Sequence, residues 1–308
     1  MIVRLRTLLS PVDFISVTFL ALLTLLALMF ASRVTAWLPI VLVNLIVIGL
    51  ILLLAQTAER KGTKLFIAFH RWYCYPIILF VFKEIYLMVR PIHPIDYDAL
   101  LISIDRWVFG VNPTQWMYQF AHPALTELLQ LSYFSYYLLF IIMGVEVYRR
   151  YPVEEFDHAA FLVVYGFYLS YIGYFALPGV GPRFTLHDFA SLNTDLPGLF
   201  FTEPIRAFIN NAESIPRNVL NPQDFVQRDA FPSGHVQLSL ITVFLGFRYH
   251  LKSKWILATL TTLLIIATVY LRYHYVVDLF GGFAFFLLSI WTGDKIREWW
   301  IHSNKSAG

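Results

Sequence analysis

Long apolar stretches separated by short polar segments make up most of the chain. About eight of them have the 17–25 residues that an α-helix needs to cross a bilayer. These stretches cover residues 14–32, 37–56, 66–89, 124–147, 158–177, 234–250, 254–273 and 275–293. The pattern predicts an all-α, polytopic transmembrane helical bundle of about eight spans, in which a core of six helices carries the functional site.

The composition supports a membrane protein and excludes several other classes. Only 14% of the 308 residues are charged and 58% are hydrophobic, whereas soluble domains have about 25% charged residues. The formal net charge of +3 is too small to indicate a nucleic-acid partner. The single cysteine, Cys74, excludes an internal disulfide framework and a cysteine-based metal site.

The N-terminal segment has two readings. Arg4 and Arg6 precede the first apolar stretch, as basic residues do in a signal peptide. That stretch is long enough to span and no small-residue cleavage site follows it, so we expect an uncleaved first span. We divide the chain into an N-terminal transmembrane hairpin, residues 1–65, and a transmembrane core, residues 66–308.

Lysine and arginine are concentrated in the short loops on one side of the predicted bundle. The positive-inside rule then places both termini in the cytoplasm. Two long loops, 90–123 and 178–232, lie on the outer face. The first has the aromatic residues of an interfacial segment, and the second is expected to form a lid or substrate-entry element. Short tails without a glycosylation-rich ectodomain favour a bacterial inner membrane.

A histidine and an aspartate stand four residues apart where the last apolar stretch begins. This spacing places His274 and Asp278 within contact distance on one helical face. A carboxylate that holds one ring nitrogen as N–H leaves the other nitrogen free for nucleophilic attack. The alternative is a hydrogen-bonded structural pair inside the bundle.

A second polar motif, Pro-Ser-Gly-His at residues 232–235, opens the sixth apolar stretch. The N–H groups at a helix N-terminus bind phosphate oxygens, and Gly234 allows a ligand to approach the backbone closely. Ser233 adds a hydroxyl donor, and His235 adds an acid or base. The alternative is a plain helix cap followed by a histidine that faces the headgroups.

Two arginines stand at the ends of predicted spans on the same outer face. Arg183 lies in a Gly/Pro-rich turn after the fifth span, and Arg272 lies two residues before His274. A guanidinium group binds phosphate through two parallel hydrogen bonds and stays charged at any working pH. For each arginine taken alone, interfacial snorkelling is the usual explanation, but all these residues cluster at the same predicted face.

Taken together, the motifs resemble the three signature motifs of the type-2 phosphatidic acid phosphatase superfamily. They are Gly-Pro-Arg at 181–183, Pro-Ser-Gly-His at 232–235 and the segment 272–278, which contains HYVVD. More narrowly, the pattern resembles the inositol-phosphorylceramide-synthase-like (inositolphosphotransferase) branch, which also has an Asp- and Gly-containing stretch like 98–113. The resemblance covers roughly residues 90–293 and identifies residues 66–308 as a phosphatase or phosphotransferase core.

The resemblance implies a role for each matched residue. His274 would be the nucleophile that forms a phosphohistidine, Asp278 would orient it, and His235 would protonate the leaving oxygen and then activate water or an alcohol. The residues implied in binding the substrate phosphate are Arg183, Ser233, Gly234 and Arg272. This set requires neither a metal nor another cofactor. The implied partner is a membrane lipid phosphate or phospholipid in the bilayer.

The chain departs from the usual family pattern at two basic positions. A lysine seven residues before the first-motif arginine is replaced by Ala176, and an arginine six residues before the third-motif histidine is replaced by Thr268. The spacing in the narrower branch indicates that Arg272 replaces the missing arginine. Whether Lys83 or another basic residue replaces the lysine stays open.

Several functional alternatives remain at this stage. The acceptor is water in a phosphatase and a hydroxyl group in a phosphotransferase, and the same histidines serve both reactions. A proton-coupled membrane transporter would use intramembrane His and Asp side chains as a relay. A zinc-dependent membrane hydrolase would use His235, His274 and Asp278 as metal ligands.

Overall fold

The computed structural model describes residues 8–305, with the side chains of all of them except residue 61 and residues 303–305. Every regular element in this range is helical, which confirms the all-α prediction. The longer helices are α1 Pro11–Met29, α2 Trp37–Lys61, α3 Lys64–Trp72, α4 Cys74–Ile92, α5 Asp98–Phe109, α6 Pro123–Phe134, α7 Tyr136–Arg150, α8 Val153–Ala176, α9 Thr202–Ala212, α10 Gly234–Arg248, α11 Lys254–Tyr270 and α12 Val276–Lys305. One-turn helices and short 3₁₀ segments connect them.

Within the described residues, five helical segments are long and apolar enough to cross a membrane, and a bent pair of helices makes a possible sixth. The five are Pro11–Met29, Trp37–Arg60, Lys64–Ile92, Val153–Ala176 and Val276–His302. The bent pair is Pro123–Phe134 with Tyr136–Arg150, at an angle of 47°. The protein is therefore a multi-pass membrane protein, but the expected count of eight spans is not confirmed.

Helices α10 and α11 explain the lower count. They contain 15 and 17 residues, which at the α-helical rise gives about 22 and 26 Å, short of a hydrocarbon core of about 30 Å. Helix α10 begins only after the Ser233 cap, and His250 has a left-handed φ of 44° shortly after its end. Turn residues thus make both helices shorter than the apolar stretches that contain them. The composition of those stretches alone is compatible with transmembrane spans.

The chain divides into two compact units, and the first contains the residues up to Pro94, Val147–Leu169 and the residues from Leu287 on. Some of its buried polar residues pair across helices. The buried Asp13 carboxylate accepts hydrogen bonds from Tyr73 at 2.6 Å and contacts His70 at 2.9 Å. The predicted domain boundary between residues 65 and 66 stays a prediction.

The second unit contains Ile95–Glu146 and Ser170–Phe286, and with them every predicted site residue. Its long 178–232 segment is folded against helices α6 and α11. The Glu127 carboxylate on α6 accepts hydrogen bonds from four consecutive backbone N–H groups, those of residues 199–202, at 2.6–3.3 Å. Because these N–H groups include the start of α9, Glu127 fixes the position of that helix within the unit.

Candidate active site

Backbone hydrogen bonds join the three sequence motifs directly. The Arg183 N–H donates to the Arg272 carbonyl at 3.0 Å, which links the first motif to the third. The Ser233 N–H donates to the Asp278 carbonyl at 3.0 Å, which links the second motif to the third. The motifs are separated by tens of residues in sequence, but the main chain itself brings them to one place.

The environment of His274 fixes its tautomer. Its Nδ1 atom lies 2.9 Å from the Ala230 carbonyl oxygen and 3.3 Å from Asp278 Oδ2. A carbonyl oxygen only accepts, so Nδ1 carries the proton and Nε2 keeps its lone pair. Burial lowers the pKa of His274 to about 4, so the imidazole is neutral at physiological pH.

His235 faces the free nitrogen of His274. The distance between His274 Nε2 and His235 Nδ1 is 3.4 Å. The rings of Tyr133 and Tyr136 pack against the His235 imidazole, with centroid distances of 4.5 and 4.4 Å. The two histidines thus form a pair that is enclosed by aromatic rings, and a lone-pair nitrogen of one ring is directed at the other ring.

Asp278 is fully buried at the start of α12, and His274 lies just before that helix. Asp278 Oδ2 accepts a hydrogen bond from the Tyr275 N–H at 2.8 Å in addition to its contact with His274. Its Oδ1 atom is buried without a hydrogen-bond partner among the described residues. The carboxylate therefore orders both the histidine and the segment that carries it.

Ser233 is the N-cap of α10, as expected for a helix entrance. Its hydroxyl oxygen accepts a hydrogen bond from the Val236 N–H at 3.4 Å, which leaves its own proton available to donate. Gly234 follows, and a Cβ atom at this position would collide with the Tyr174 hydroxyl. A larger residue at position 234 would therefore displace either the helix entrance or the tyrosine.

Arg183 is buried between aromatic rings and acidic or amide side chains. Its guanidinium carbon lies 4.7 Å from the ring centroids of both Phe184 and Tyr273. The same group forms an ion pair with Glu213 and donates to Asn210 Oδ1 at 3.1 Å. The Arg183 side chain is therefore buried inside the second unit.

Arg272 is also buried and has a carboxylate partner. Its Nη1 atom lies 2.7 Å from Asp195 Oδ2, and this hydrogen bond lowers the pKa of Asp195. The backbone of Arg272 has a φ of 67°, a left-handed conformation that is uncommon outside glycine. This conformation accompanies the abrupt change of direction between α11 and the His274 segment.

Comparison with known protein families agrees with the order of the three motifs. The profile of the PAP2 superfamily matches residues 99–292, well over half of the chain. The chain belongs to the PAP2 superfamily. This confirms the resemblance at the level of the superfamily.

One curated relative of this PAP2 chain is a PA-phosphatase related-family protein of Dictyostelium discoideum. The two are 29% identical over 191 residues, which cover 51% of this chain and 32% of the relative. The chain thus spans about a third of the length of that relative. No solved structure matches the PAP2 chain.

Two aspartates that sequence reasoning did not single out as site residues hold the PAP2 motifs in place. Asp98 accepts from the Val180 and Gly181 N–H groups at 3.0 and 2.9 Å, and from the Tyr275 hydroxyl at 2.7 Å. Asp105 accepts from the first two N–H groups of α12, at 2.8 Å each. Asp98 and Asp105 are seven residues apart, which places both on one face of α5. This spacing is the feature of the sequence that could have identified them as a pair.

Within the part of the PAP2 chain that the structure describes, no group of three His, Cys, Asp or Glu side chains is arranged to hold a metal ion. The zinc alternative needs Asp278 as a third ligand beside the two histidines. Asp278 lies at His274 Nδ1, whereas His235 lies at His274 Nε2, so the carboxylate and His235 contact opposite sides of the His274 ring.

Proposed function

We propose that the protein is an integral membrane lipid phosphatase or phosphotransferase that cleaves a phosphate ester through a phosphohistidine at the outer membrane face. The observation that carries the proposal is the pair of contacts made by His274. Its Nδ1–H is fixed by Ala230 and Asp278 while its Nε2 is directed at His235. This is the arrangement required for a nucleophile with an orienting partner and an adjacent proton donor.

In the first step, His274 Nε2 attacks phosphorus, and the bond between phosphorus and the ester oxygen breaks. His235, protonated beside the bound phosphate anion, gives its proton to the leaving oxygen. The buried Asp278 carboxylate and the Ala230 carbonyl stabilise the positive charge that develops on the His274 ring. Arg183, Arg272, Ser233 and Gly234 are proposed to bind the phosphate oxygens.

In the second step, the now neutral His235 takes a proton from the acceptor, whose oxygen attacks the phosphohistidine and releases His274. Water as acceptor gives a phosphatase, and a polyol or lipid hydroxyl gives a phosphotransferase. The inositolphosphotransferase branch of the superfamily is the finer assignment that the HYVVD segment favours. Both acceptors use the same two histidines, so the proposal covers both outcomes.

The decisive experiment uses purified protein in lipid nanodiscs with a panel of lipid phosphates and phospholipids. We expect the wild type to release phosphate or transfer a headgroup, and His274→Ala to lose almost all of this activity. His302→Ala is the matched control, because His302 is exposed near the end of α12 and its Nδ1 atom contacts the Glu298 carbonyl of its own helix. Undiminished turnover by His274→Ala would refute the nucleophile assignment.

A second measurement tests the covalent step itself. Substrate labelled on phosphorus should leave an acid-labile, base-stable label on the wild-type protein after rapid quenching, and none on His274→Ala. Activity should survive chelation and be blocked by orthovanadate. Loss of activity on chelation that zinc restores would favour the metal-dependent alternative instead.

Addition of a polyol such as inositol separates the two acceptor classes. A phosphotransferase would form the polyol phosphate at the expense of free phosphate, whereas a phosphatase would release free phosphate at an unchanged rate. Either result is compatible with the histidine chemistry and assigns the acceptor.

A further inference from the structure

Helix α9 carries an arginine that the three motifs do not include. Arg206 is 3% exposed, so its guanidinium group lies in the interior of the second unit. Arg206 and Asn210 are one helical turn apart and share a face, and Asn210 Oδ1 accepts a hydrogen bond from Arg183 Nη1 at 3.1 Å. Arg206 therefore lies one helical turn from Asn210, which contacts Arg183 of the candidate phosphate site.

The partners of Arg206 are all neutral. Its Nε donates to Gln130 Oε1 at 3.3 Å, and its Nη1 donates to the Leu192 carbonyl at 3.2 Å and to Asn193 Oδ1 at 2.9 Å. None of the described carboxylates forms an ion pair with it, in contrast to Arg183 with Glu213 and Arg272 with Asp195. A buried cation that forms no ion pair is costly.

Three buried polar atoms near this arginine lack a partner among the described residues. They are Arg206 Nη2, Gln130 Nε2 and Tyr273 Oη. The amide of Gln130 is oriented by its bond to Arg206, since a flipped amide would oppose two donors. Two of the three atoms can only donate, and the tyrosine hydroxyl can also donate, and an anionic oxygen requires donors as partners.

Tyr273 connects this group to the reaction centre. It lies between Arg272 and His274 in sequence, and its ring stacks on Tyr133 at 4.3 Å. Tyr133 in turn stacks on His235 at 4.5 Å. Tyr273 also packs in the same apolar cluster as Ile205 and Ile209, which flank Arg206 on α9. One aromatic ring, that of Tyr133, thus separates Tyr273 from His235.

We propose that Arg206, with Gln130 and Tyr273, forms a further anion-binding subsite for phosphate oxygens of the substrate. Arg206 would replace the basic residue that the chain lacks at Ala176. This inference rests on the proposed function and deepens it by adding a third guanidinium group to the phosphate site. The bound oxygen belongs either to the reacting phosphate or to a second phosphate attached to it.

The first test measures binding without turnover. Orthovanadate is titrated into purified wild-type protein and into Arg206→Gln, and its affinity is measured by calorimetry. Loss of a charge-assisted hydrogen bond should weaken vanadate binding roughly tenfold to a hundredfold. Arg206→Lys should recover part of the affinity, because it keeps the charge but not the planar fork.

Arg228→Gln is the matched control for loss of a buried arginine. Arg228 is 7% exposed and also donates to backbone carbonyls, but it has a carboxylate partner in Asp96 at 3.3 Å. We expect it to lower thermal stability without weakening vanadate binding. Equal vanadate affinity in the wild type and in folded Arg206→Gln would overturn the subsite and leave ordered water as the partner of these atoms.

Turnover separates the two sources of the bound oxygen. If the reacting phosphate is bound, Arg206→Gln should lose the same factor in kcat/KM on monophosphate and diphosphate esters of one lipid. If a second phosphate is bound, only the diphosphate should be affected. If Arg206→Gln is active and keeps its kcat/KM on both esters, the subsite is contradicted. A wild type that is inactive on all phosphate esters contradicts the proposed function instead, and the vanadate-binding test of the subsite remains valid.

Discussion

The Nδ1 atom of His274 lies 2.9 Å from the carbonyl oxygen of Ala230, closer than its 3.3 Å distance to Asp278. A backbone carbonyl cannot change its protonation, so it holds the ring tautomer independently of the carboxylate. Ala230 stands two residues before the Pro-Ser-Gly-His motif. The segment just before the second motif thus orients the His274 ring through its main chain.

This arrangement predicts different consequences for the two members of the His274–Asp278 pair. Asp278→Asn should lower kcat by about a hundredfold or more, because the imidazolium that forms loses its stabilising charge. It should lose less activity than His274→Ala, since Ala230 still holds the tautomer. Phosphate release and the phosphohistidine label are measured in parallel for both variants. Equal loss in both would show that the Ala230 carbonyl alone does not keep the His274 ring in its reactive tautomer.

The pH dependence follows from the burial of His274. Its pKa is lowered to about 4, and attack requires the neutral ring. The contribution of His274 to kcat/KM should therefore be fully present at neutral pH and be lost only as the pH falls through about 4. A kcat/KM profile between pH 3.5 and 8 checks this, with stability followed at each pH. If kcat/KM of the folded protein already falls as the pH drops through about 6.5, and His235 is not the cause, the lowered pKa of His274 is contradicted.

The ion pair between Arg183 and Glu213 predicts competition between the carboxylate and the substrate phosphate. Glu213→Gln removes a negative charge beside the site, so orthovanadate should bind roughly twofold to tenfold more tightly. Glu203→Gln makes the same charge change at an exposed position near the start of α9 and should have little effect because solvent screens it. Weaker vanadate binding by Glu213→Gln would instead show that Glu213 positions Arg183 for the ligand.

Asp105 is predicted to stabilise the start of α12. Asp105→Ala leaves the N–H groups of Val276 and Val277 without their acceptor, which should lower the free energy of unfolding by about 0.5–2 kcal/mol. The same variant should reduce activity, because His274 and Asp278 flank these residues. Thermal unfolding in detergent measures the first effect. Ser103→Ala, an exposed position on α5, serves as control and should leave both quantities unchanged.

The amino-acid sequence alone predicted the class of the protein and supplied the candidate site residues. The length of the apolar stretches requires membrane helices, and the local spacing of His274 and Asp278 and the helix-cap chemistry of Ser233 depend only on neighbouring residues. The order of the three motifs was sufficient to indicate the superfamily that the comparison confirmed. The assignment of catalytic and binding roles stays a proposal.

Only the tertiary structure decided how many of these stretches have spanning length and which distant groups complete the site. The hydrophobic pattern does not show that turns shorten α10 and α11. Contacts such as that of Asp98 with Tyr275 join residues 177 positions apart, and no local rule predicts them. Burial without an ion pair distinguishes Arg206 from a snorkelling arginine. Burial is a property of the folded chain, so the sequence alone does not show it.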